Sequence, residues 1–333
     1  MRYNLSMNTV FVSRSGDGHI NLATDEYLLE QYRSGKMTGI TLYFYVNSNA
    51  VIIGRNQNAW RECNIERMEA DGVQLVRRHT GGGAVYHDGG NLNFSFISNE
   101  KLYDKDRQNL VIIRACKRLG INAEVNGRND ITVDGRKFSG CAYGISGIAR
   151  AMHGTLLISS DMSKLANYLN PSKKKLAAKG ITSVRSRVIN LTEKAPVTVE
   201  AMRELVIEEF EREYGSAERL IFDDAAQEAI SRLTDRQRSW EWRFGQSPNF
   251  DYAIDDRFSF GEMQILMHLK NGCVDSVKVY TDALSADLSD EISRLLTGVR
   301  FSNESLSAAL RIGGSEACEI AEYIDKEDNK SNE

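Results

Sequence analysis

The chain has 333 residues, of which 41% are hydrophobic and 26% are charged, and its formal net charge at pH 7 is −4. This composition is ordinary for a folded globular protein and excludes a disordered chain or a fibrous repeat. The length allows one large domain and a smaller one, and the acidic balance argues against a general nucleic-acid binder, which would gain affinity from a basic excess.

The cysteines and the hydropathy pattern indicate the compartment. The five cysteines lie far apart, without the close spacing of a zinc site or a redox pair, and we interpret them as structural thiols in a reducing compartment. Residues 1–18 have no apolar stretch behind a basic start, and no apolar run approaches the length of a membrane span. We therefore expect a cytoplasmic protein.

Helical and strand patterns alternate in the first part of the chain. Residues 20–34 place apolar side chains at helical spacing, and the segments TLYFYV and VIIG that follow are typical of buried strands. Further elements are predicted as helices at residues 66–71 and 111–119 and as strands at residues 74–77 and 92–97. The sequence therefore predicts a mixture of helices and strands without internal repeats.

The composition changes close to residue 247. An aromatic cluster at residues 240–244 is followed by glycine and proline, then by a strand-like segment, an Asn-Gly turn at residues 271–272 and two helical patterns. We predict a first domain over residues 1–246 and a small C-terminal domain over residues 247–333.

A glycine-rich segment, RRHTGGGAVYHDGGNLNFSF, occupies residues 77–96. Three glycines in a row cost chain entropy, so they are kept where the backbone approaches another group closely or takes a positive φ. Their N–H groups can form an anion-binding concavity, and Arg77 or Arg78 can add donors to phosphate oxygens. A tight hairpin turn with surface arginines is the alternative. The segment lacks both the P-loop lysine and the GxGxxG spacing, which disfavours an ordinary P-loop or Rossmann site.

Residues 127–140, GRNDITVDGRKFSG, predict two strands joined by an Asp-Gly turn. Outward from the turn, the predicted register pairs Val133 with Arg136, Thr132 with Lys137, Ile131 with Phe138 and Asp130 with Ser139. In this register Asp130 and Lys137 share the polar face and their charges come within reach of one another. A surface ion pair of little energetic value is one interpretation. In the other, Lys137 supplies positive charge to a reacting phosphate and Asp130 binds Mg²⁺.

Residues 163–192 contain seven basic side chains and no Asp or Glu. In a chain of net negative charge this stretch is a local anion-binding surface, and its small residues suggest a loop able to close on a ligand. A solvated basic surface is the alternative.

Four segments in this order, RRHTGGGAVYHDGGN, GRNDITVDGRKFSG, HGTLL and LNPSKKKLAAKGITSVRSRV, resemble the lipoate–protein ligase A family. WEWRFG and the sequence after it are similar to the accessory domain of that family, so the resemblance runs through nearly the whole chain. It implies an α+β fold: a mixed β-sheet with flanking helices resembling the class II synthetase and biotin ligase core, plus a small C-terminal α/β accessory domain.

The resemblance implies a two-step reaction. ATP and lipoate give lipoyl-AMP and pyrophosphate, and a lysine amine of an acceptor lipoyl domain then attacks the mixed anhydride. The implied cofactors are ATP and Mg²⁺, and the implied acceptors are the lipoyl domains of 2-oxoacid dehydrogenase E2 subunits and the glycine cleavage H protein. We expect a monomer that binds neither nucleic acid nor membrane.

The resemblance also implies the site residues. Lys137 matches the lysine that touches both the activated carbonyl and the phosphate, and Asp130 is the expected Mg²⁺ contact. The expected ATP-binding positions are Arg78, Gly83, Ala84, Val85, Tyr86, Lys137, Ser183 and Arg185, with residues 183–187 resembling the family's adenylate-binding loop. The expected lipoate-binding positions are Gly82, His87, Lys137, Cys141 and His153, although each histidine can instead be structural. The TLYFYV and VIIG strands are candidates for lining an apolar acyl slot.

Position 141 departs from the family pattern, which more often has a small polar residue there. The predicted register turns Cys141 to the face of Lys137 unless a bulge intervenes, which raises the hypothesis of a thioester route without ATP, as in the related octanoyltransferases. A lipoyl or octanoyl transferase is therefore the main alternative. The loop at residues 77–87 differs from that of biotin ligases, and the intact Arg78, Lys137 and Asp130 argue against a non-catalytic lipoyl-domain binder.

Overall fold

The computed structural model describes residues 7–127, 129–169, 188–244 and 251–331. The strands are β1 (Asn8–Val12), β2 (Ile40–Tyr45), β3 (Asn49–Ile53), β4 (Gln74–Arg77), β5 (Val85–Asp88), β6 (Asn91–Asn99), β7 (Glu124–Asn126), β8 (Asp130–Val133), β9 (Arg136–Ser146), β10 (Ala149–Leu157), β11 (Ala217–Arg219), β12 (Tyr252–Phe258), β13 (Gly261–Lys270) and β14 (Cys273–Thr281). The helices are α1 (Gly18–Arg33), α2 (Ala59–Glu62), α3 (Ile65–Ala70), α4 (Lys105–Arg118), α5 (Met162–Tyr168), α6 (Val199–Tyr214), α7 (Asp224–Arg238), α8 (Trp240–Arg243), α9 (Leu288–Leu296), α10 (Asn303–Leu310) and α11 (Ser315–Ser331). In this part of the chain, none of the helices combines the length and the hydropathy of a membrane span.

An eight-stranded sheet in the order β11-β1-β2-β6-β10-β9-β8-β7 forms the centre of the first domain. Strand β1 pairs in parallel with β2 and β11. All neighbouring pairs along the rest of the sheet, β2-β6-β10-β9-β8-β7, are antiparallel. A separate sheet places β3 between β4, to which it is parallel, and β5, to which it is antiparallel. This arrangement confirms the predicted mixed sheet with flanking helices.

One face of the large sheet is apolar and packs against α4 and α6. Phe44, Phe94 and Phe96 of adjacent strands are fully buried there, together with Val111 of α4 and Phe210 of α6. Burial of each such side chain stabilises the fold by roughly 1.5–3 kcal/mol. This layer is the main hydrophobic core.

The opposite face carries polar residues among apolar ones and packs against α1 and the small sheet. Leu22 and Leu28 of α1 are buried against Tyr43 on this face. One row of partners across the sheet consists of Tyr43, Ser95, His153 and Ala142. Because partners across a sheet share a face, His153 lies in the layer between the large sheet and α1.

The C-terminal domain consists of an antiparallel β12-β13-β14 meander and the helices α9, α10 and α11, which share one hydrophobic core. Asn271 and Gly272 form the tight turn between β13 and β14 with φ values of 53° and 77°, as the Asn-Gly signal predicts. The sequence predicts one strand-like segment and two helical patterns here, whereas residues 251–331 form three strands and three helices. The prediction therefore has too few elements.

Most other predicted elements are confirmed. The predictions at residues 20–34, 74–77 and 92–97 correspond to α1, β4 and β6, and TLYFYV and VIIG correspond to β2 and β3, with boundaries that differ by one or two residues where they differ. Helix α4 begins at Lys105, earlier than the predicted start at residue 111. The Asp104 carboxylate caps it by accepting hydrogen bonds from the amides of Asp106 and Arg107, so the overlooked signal is an N-cap residue outside the apolar pattern.

Candidate functional site

The β8–β9 hairpin has the predicted turn but a different register further out. Asp134 and Gly135 take φ values of 51° and 69°, and the pairing of Val133 with Arg136 and of Thr132 with Lys137 is confirmed. Beyond this point the register shifts, so that Ile131 pairs with Ser139 and Asp130 with Gly140. The predicted pairs Ile131–Phe138 and Asp130–Ser139 are wrong.

Two core residues explain this bulge. Phe138 and Cys141 are both buried in the main core, yet strict alternation along β9 would turn them to opposite faces. One extra residue in β9 restores both to the apolar side. The bulge therefore also turns Cys141 away from the face on which the sequence placed it.

The Lys137 ammonium and the Asp130 carboxylate meet as the sequence predicts. Lys137 Nζ lies 2.6 Å from Asp130 Oδ1, with 36% and 35% of the two side chains exposed. The lysine folds back over Gly140, where a Cβ atom would stand 2.6 Å from Nζ. Ile189 N donates to Lys137 O at 2.9 Å, so the chain after residue 187 runs beside this lysine. The paired charges are thus open to a ligand and fixed by the local backbone.

Ser183 and Arg185, both expected at the nucleotide, lie outside the described residues, as does most of the basic stretch at residues 163–192.

The glycine loop, residues 78–84, connects β4 with β5, and Arg78 braces it from inside. The buried guanidinium donates to the carbonyl oxygens of Gly81 (2.7 and 3.1 Å), Gly83 (2.9 Å) and Ile52 (3.3 Å). Burial lowers the pKa of Arg78 to about 10, which leaves the side chain charged at neutral pH. Arg78 therefore shapes the loop through its carbonyl groups in this structure.

Arg77 is a second buried guanidinium, and it faces away from the loop. It donates to the carbonyl oxygens of Gly54, Arg55, Gln57, Trp242 and Arg243 at 2.6–3.1 Å. Burial lowers its pKa to about 10 as well. These contacts tie β4 to α8, so the structure gives Arg77 a structural position and not the phosphate-facing one that the sequence allowed.

The glycines of the loop meet the expected requirement for close backbone approach. Gly82 has a φ of 95°, and its amide donates to Ala283 O of the C-terminal domain at 2.7 Å. A Cβ atom on Gly81 would stand 2.4 Å from Ala283 O and 2.5 Å from Leu284 O. A Cβ atom on Gly83, by contrast, would meet open space. The loop thus contacts the C-terminal domain on one side and is open at its last glycine.

The residues after the glycines alternate between two layers. Ala84 and Tyr86 pack with the cluster around β3 and α5, while Val85 packs toward α1. The Tyr86 hydroxyl donates to Asn49 Oδ1 at 2.9 Å, and burial raises its pKa to about 12.

His87 is buried with Nδ1 at 3.0 Å from Asn47 Nδ2. Desolvation, together with the nearby Arg78 charge, lowers the pKa of His87 to about 3, so this imidazole is neutral.

The glycine loop and Lys137 lie on the same face of β9. A Cβ atom on Gly144 would stand 3.1 Å from Thr80 Cγ2 and 3.5 Å from His79 Nε2, whereas one on Gly140 would meet the Lys137 ammonium. Residues 140 and 144 share a face because side chains alternate along a strand. The two segments singled out in the sequence therefore lie on one face of β9, with the buried Ala142 between them.

His153 lies on the same sheet face as Ala142, within a buried group that the sequence did not indicate. Its Nδ1 donates to the carboxylate of Asp25 at 3.1 Å, and its Nε2 is hydrogen-bonded to Thr80 Oγ1 at 2.6 Å. His79 Nε2 lies 3.8 Å from the same carboxylate. Asp25 is fully buried on the sheet-facing side of α1, so a charged residue in an apolar helical stripe is the signal that would have found it.

Electrostatics in this group favour an anionic carboxylate and a neutral His79. Burial opposes ionisation of Asp25, but the hydrogen bond from His153 and the neighbouring imidazoles outweigh it and hold the pKa of Asp25 below its usual value. Desolvation lowers the pKa of His79 in spite of the Asp25 charge.

Cys141 occupies a position unsuited to nucleophilic catalysis. It is 4% exposed within the main core, and its backbone is held by Asn129, whose carbonyl accepts from Cys141 N at 2.7 Å. Burial raises the pKa of the Cys141 thiol to about 12. A protonated thiol that faces the core is a poor nucleophile, so the geometry disfavours the thioester hypothesis.

Comparison of the chain with known protein families and structures identifies its family. Residues 17–211 match the model of the lipoyl protein ligase A/B catalytic domain, and residues 247–331 match that of the bacterial lipoate protein ligase C-terminus. The chain belongs to the lipoate–protein ligase family, and the resemblance found in its motifs is confirmed.

Solved structures agree with this assignment. P. falciparum LipL1 in complex with lipoate is 29% identical with a TM-score of 0.84, and the match covers 95% of this chain and 99% of that one. A lipoate-protein ligase A bound with ATP is 27% identical with a TM-score of 0.62, over 72% and 98% of the two chains. The bipartite lipoate protein ligase of Thermoplasma acidophilum, studied with its E2 lipoyl domain, is 27% identical with a TM-score of 0.65, over 73% and 98%.

Proposed function

We propose that this protein is an ATP-dependent lipoate–protein ligase. It activates lipoate as lipoyl-AMP and then transfers the lipoyl group to a lysine of acceptor lipoyl domains. The observation that carries the proposal is the position of the Lys137 ammonium, which lies over Gly140 on the same face of β9 as the glycine loop at Gly144. A lipoate-protein ligase A binds ATP, and P. falciparum LipL1 binds lipoate. These are the two substrates that the proposed reaction requires.

In the activation step, Lys137 stabilises the negative charge that develops as the carboxylate attacks the α-phosphate. A preorganised cation is effective here because it needs no reorganisation during the reaction. The ion pair with Asp130 at 2.6 Å fixes the ammonium before substrate binds. The mixed anhydride and pyrophosphate are the products of this step.

Asp130 is the residue that would hold Mg²⁺. Its side chain is 35% exposed, and one or two carboxylates together with substrate phosphates are the usual Mg²⁺ ligands of nucleotide enzymes. When bound, the cation would neutralise charge on the phosphates. Asp130 would supply an oxygen ligand to the cation, and its ion pair orients Lys137.

The face of β9 between Lys137 and the glycine loop is proposed to line the site of the acyl chain. From Gly140 to Gly144 the strand extends roughly 13 Å at its usual rise per residue. A ligand whose carboxylate meets Lys137 would carry its apolar tail past Ala142 toward Thr80 and His153. Each methylene buried there contributes roughly 0.8 kcal/mol to affinity.

The transfer step needs an acceptor amine. We propose lipoyl domains of 2-oxoacid dehydrogenase E2 subunits and the glycine cleavage H protein as acceptors, and a cytoplasmic monomer as the working state. The T. acidophilum ligase, which was studied with its E2 lipoyl domain, supports this class of partner.

Mass spectrometry of an apo lipoyl domain tests the proposal. The domain is incubated with the protein, lipoate, ATP and Mg²⁺, and separately with each component omitted. We expect the lipoyl mass increment only in the complete mixture, and modification without ATP would contradict the ligase assignment.

A cysteine variant separates the ligase from the transferase in the same assay. Because the Cys141 thiol faces the core, Cys141→Ser should keep ATP-dependent modification. Complete loss of modification in a folded Cys141→Ser protein would favour the thioester route instead.

A further inference from the structure

Asp25, His79 and His153 meet at the junction of three elements, namely α1, the glycine loop and β10. One potential ligand atom of each residue lies within 4.8 Å of the other two. The Asp25 carboxylate is 3.1 Å from His153 Nδ1 and 3.8 Å from His79 Nε2. Ligand atoms on a tetrahedral metal ion lie at comparable separations, because each bond is about 2.0–2.1 Å long.

Several potential metal-ligand atoms of this group lack a hydrogen-bond partner. Within the part of the chain that the structure describes, neither ring nitrogen of His79 forms a hydrogen bond, and Asp25 Oδ1 forms none either. Asp25 is 0% exposed. A buried polar atom without a partner costs about 1–3 kcal/mol, so a bound species that pairs with these atoms would stabilise the cluster.

His153 is held as metal-binding histidines are. Its Nε2 is hydrogen-bonded to Thr80 Oγ1 at 2.6 Å, which fixes the ring with Nδ1 toward Asp25. Such an outer partner sets the tautomer and orientation of a ligating imidazole. If Nδ1 binds a metal, the ring proton moves to Nε2 and is donated to the threonine hydroxyl, so the proton count is unchanged.

We propose that Asp25, His79 and His153 form a binding site for a divalent transition-metal ion, with Zn²⁺ as the ion that this set fits. Two imidazoles and one carboxylate are a common zinc ligand set, and three protein ligands leave the fourth position to water or another ligand. The bound ion links α1, the glycine loop and β10. The site is distinct from the Mg²⁺ position at Asp130 and does not depend on the proposed ligase activity.

Metal titration of tag-free, chelator-treated protein tests this assignment. Co²⁺ is added alone and followed by visible absorption, and Zn²⁺ is added in competition. The wild-type protein should bind one equivalent with the intense bands of four-coordinate Co²⁺, and Zn²⁺ should bleach them. His79→Gln should weaken binding at least tenfold, while His268→Gln, which removes an exposed histidine of the C-terminal domain, should leave it unchanged.

An X-ray absorption measurement on the zinc-loaded wild-type protein does not rely on any variant. We expect a first shell of nitrogen and oxygen atoms with two imidazoles. A sulfur ligand in the absorption spectrum would overturn the assignment. A metal affinity of the wild-type protein no higher than that of His79→Gln would overturn it as well, and the cluster would then be a hydrated hydrogen-bonded group.

Discussion

Gly140 leaves the space in which the Lys137 ammonium lies. A Cβ atom at residue 140 would stand 2.6 Å from Lys137 Nζ and 2.7 Å from its Cε. The lysine end is flexible, so it would move and the backbone would stay. The proposed role of Lys137 therefore depends on a glycine that touches no substrate itself.

Gly140→Ala should lower the rate of adenylate formation by about 10–100-fold, because small displacements of a catalytic group have effects of this size. Pyrophosphate release with lipoate and ATP is the measurement. Gly89→Ala is the matched control, since a Cβ atom there meets open space. Equal rates for Gly140→Ala and wild type would show that the ammonium position does not matter.

His87 makes stability depend on pH. Its pKa is about 3 in the folded protein and about 6.5 in an unfolded chain, so the unfolded state binds more protons between these values. The stability contributed by neutral His87 is complete above pH 6.5 and is lost as the pH falls toward 3.

Urea unfolding at pH 7 and pH 5 tests this linkage. Wild type should lose more free energy of unfolding over this interval than His87→Gln, by an amount on the order of 1–2 kcal/mol. His268→Gln, at an exposed site, should behave as wild type. The same pH dependence in His87→Gln as in wild type would contradict the linkage.

At the scale of elements, local signals were predictable and packing between elements was not. The Asp134-Gly135 turn and the pairing of Thr132 with Lys137 follow from a two-residue motif. The bulge follows from the burial of both Phe138 and Cys141 in a core that α4 and α6 complete, and no pattern within the hairpin encodes it.

The same distinction applies to the site. Asp130 and Lys137 were predictable because they lie on neighbouring strands of one hairpin. The direction of Arg78 was not, because the carbonyl groups that bind it are set by the fold of the loop and of β3. The Asp25–His153 contact joins residues 128 positions apart, which a single sequence does not reveal.

Gly81 tests the contact between the glycine loop and the C-terminal domain. In Gly81→Ala the new methyl would meet the backbone oxygens of Ala283 and Leu284, so the loop and the domain must separate. We expect a stability loss of about 1–3 kcal/mol, as for other overpacked sites. Hydrogen exchange at the Gly82 amide, which donates to Ala283 O, should be faster.

Arg55→Ala is the control for this contact. Arg55 forms ion pairs with Asp287 and Asp290 that are largely exposed, so its removal should cost less than about 1 kcal/mol. Unchanged exchange at Gly82 in Gly81→Ala would show that the loop does not need this close approach.

At the scale of the whole molecule, the two domains meet at the glycine loop. The Gly82 amide donates to Ala283 O of the C-terminal domain, and the carbonyl oxygens of Ala283 and Leu284 pack closely against Gly81. On the other side, Thr80 of the loop is hydrogen-bonded to His153 of the large sheet. Lys137 lies further along the same face of β9. The loop thus connects the C-terminal domain with the face of β9 at which the adenylate is proposed to form.

Lys137 is proposed to promote adenylate formation at this face of β9. The most direct measurement is single-turnover pyrophosphate release with lipoate and ATP, which excludes the acceptor step. Lys194→Gln is the matched control, since that lysine is also partly exposed and paired with a hairpin carboxylate, Asp134. Lys137→Gln should slow the release by about 10²–10³-fold, and Lys194→Gln should release pyrophosphate at the wild-type rate. A Lys137→Gln protein as fast as Lys194→Gln would show that Lys137 does not promote this step.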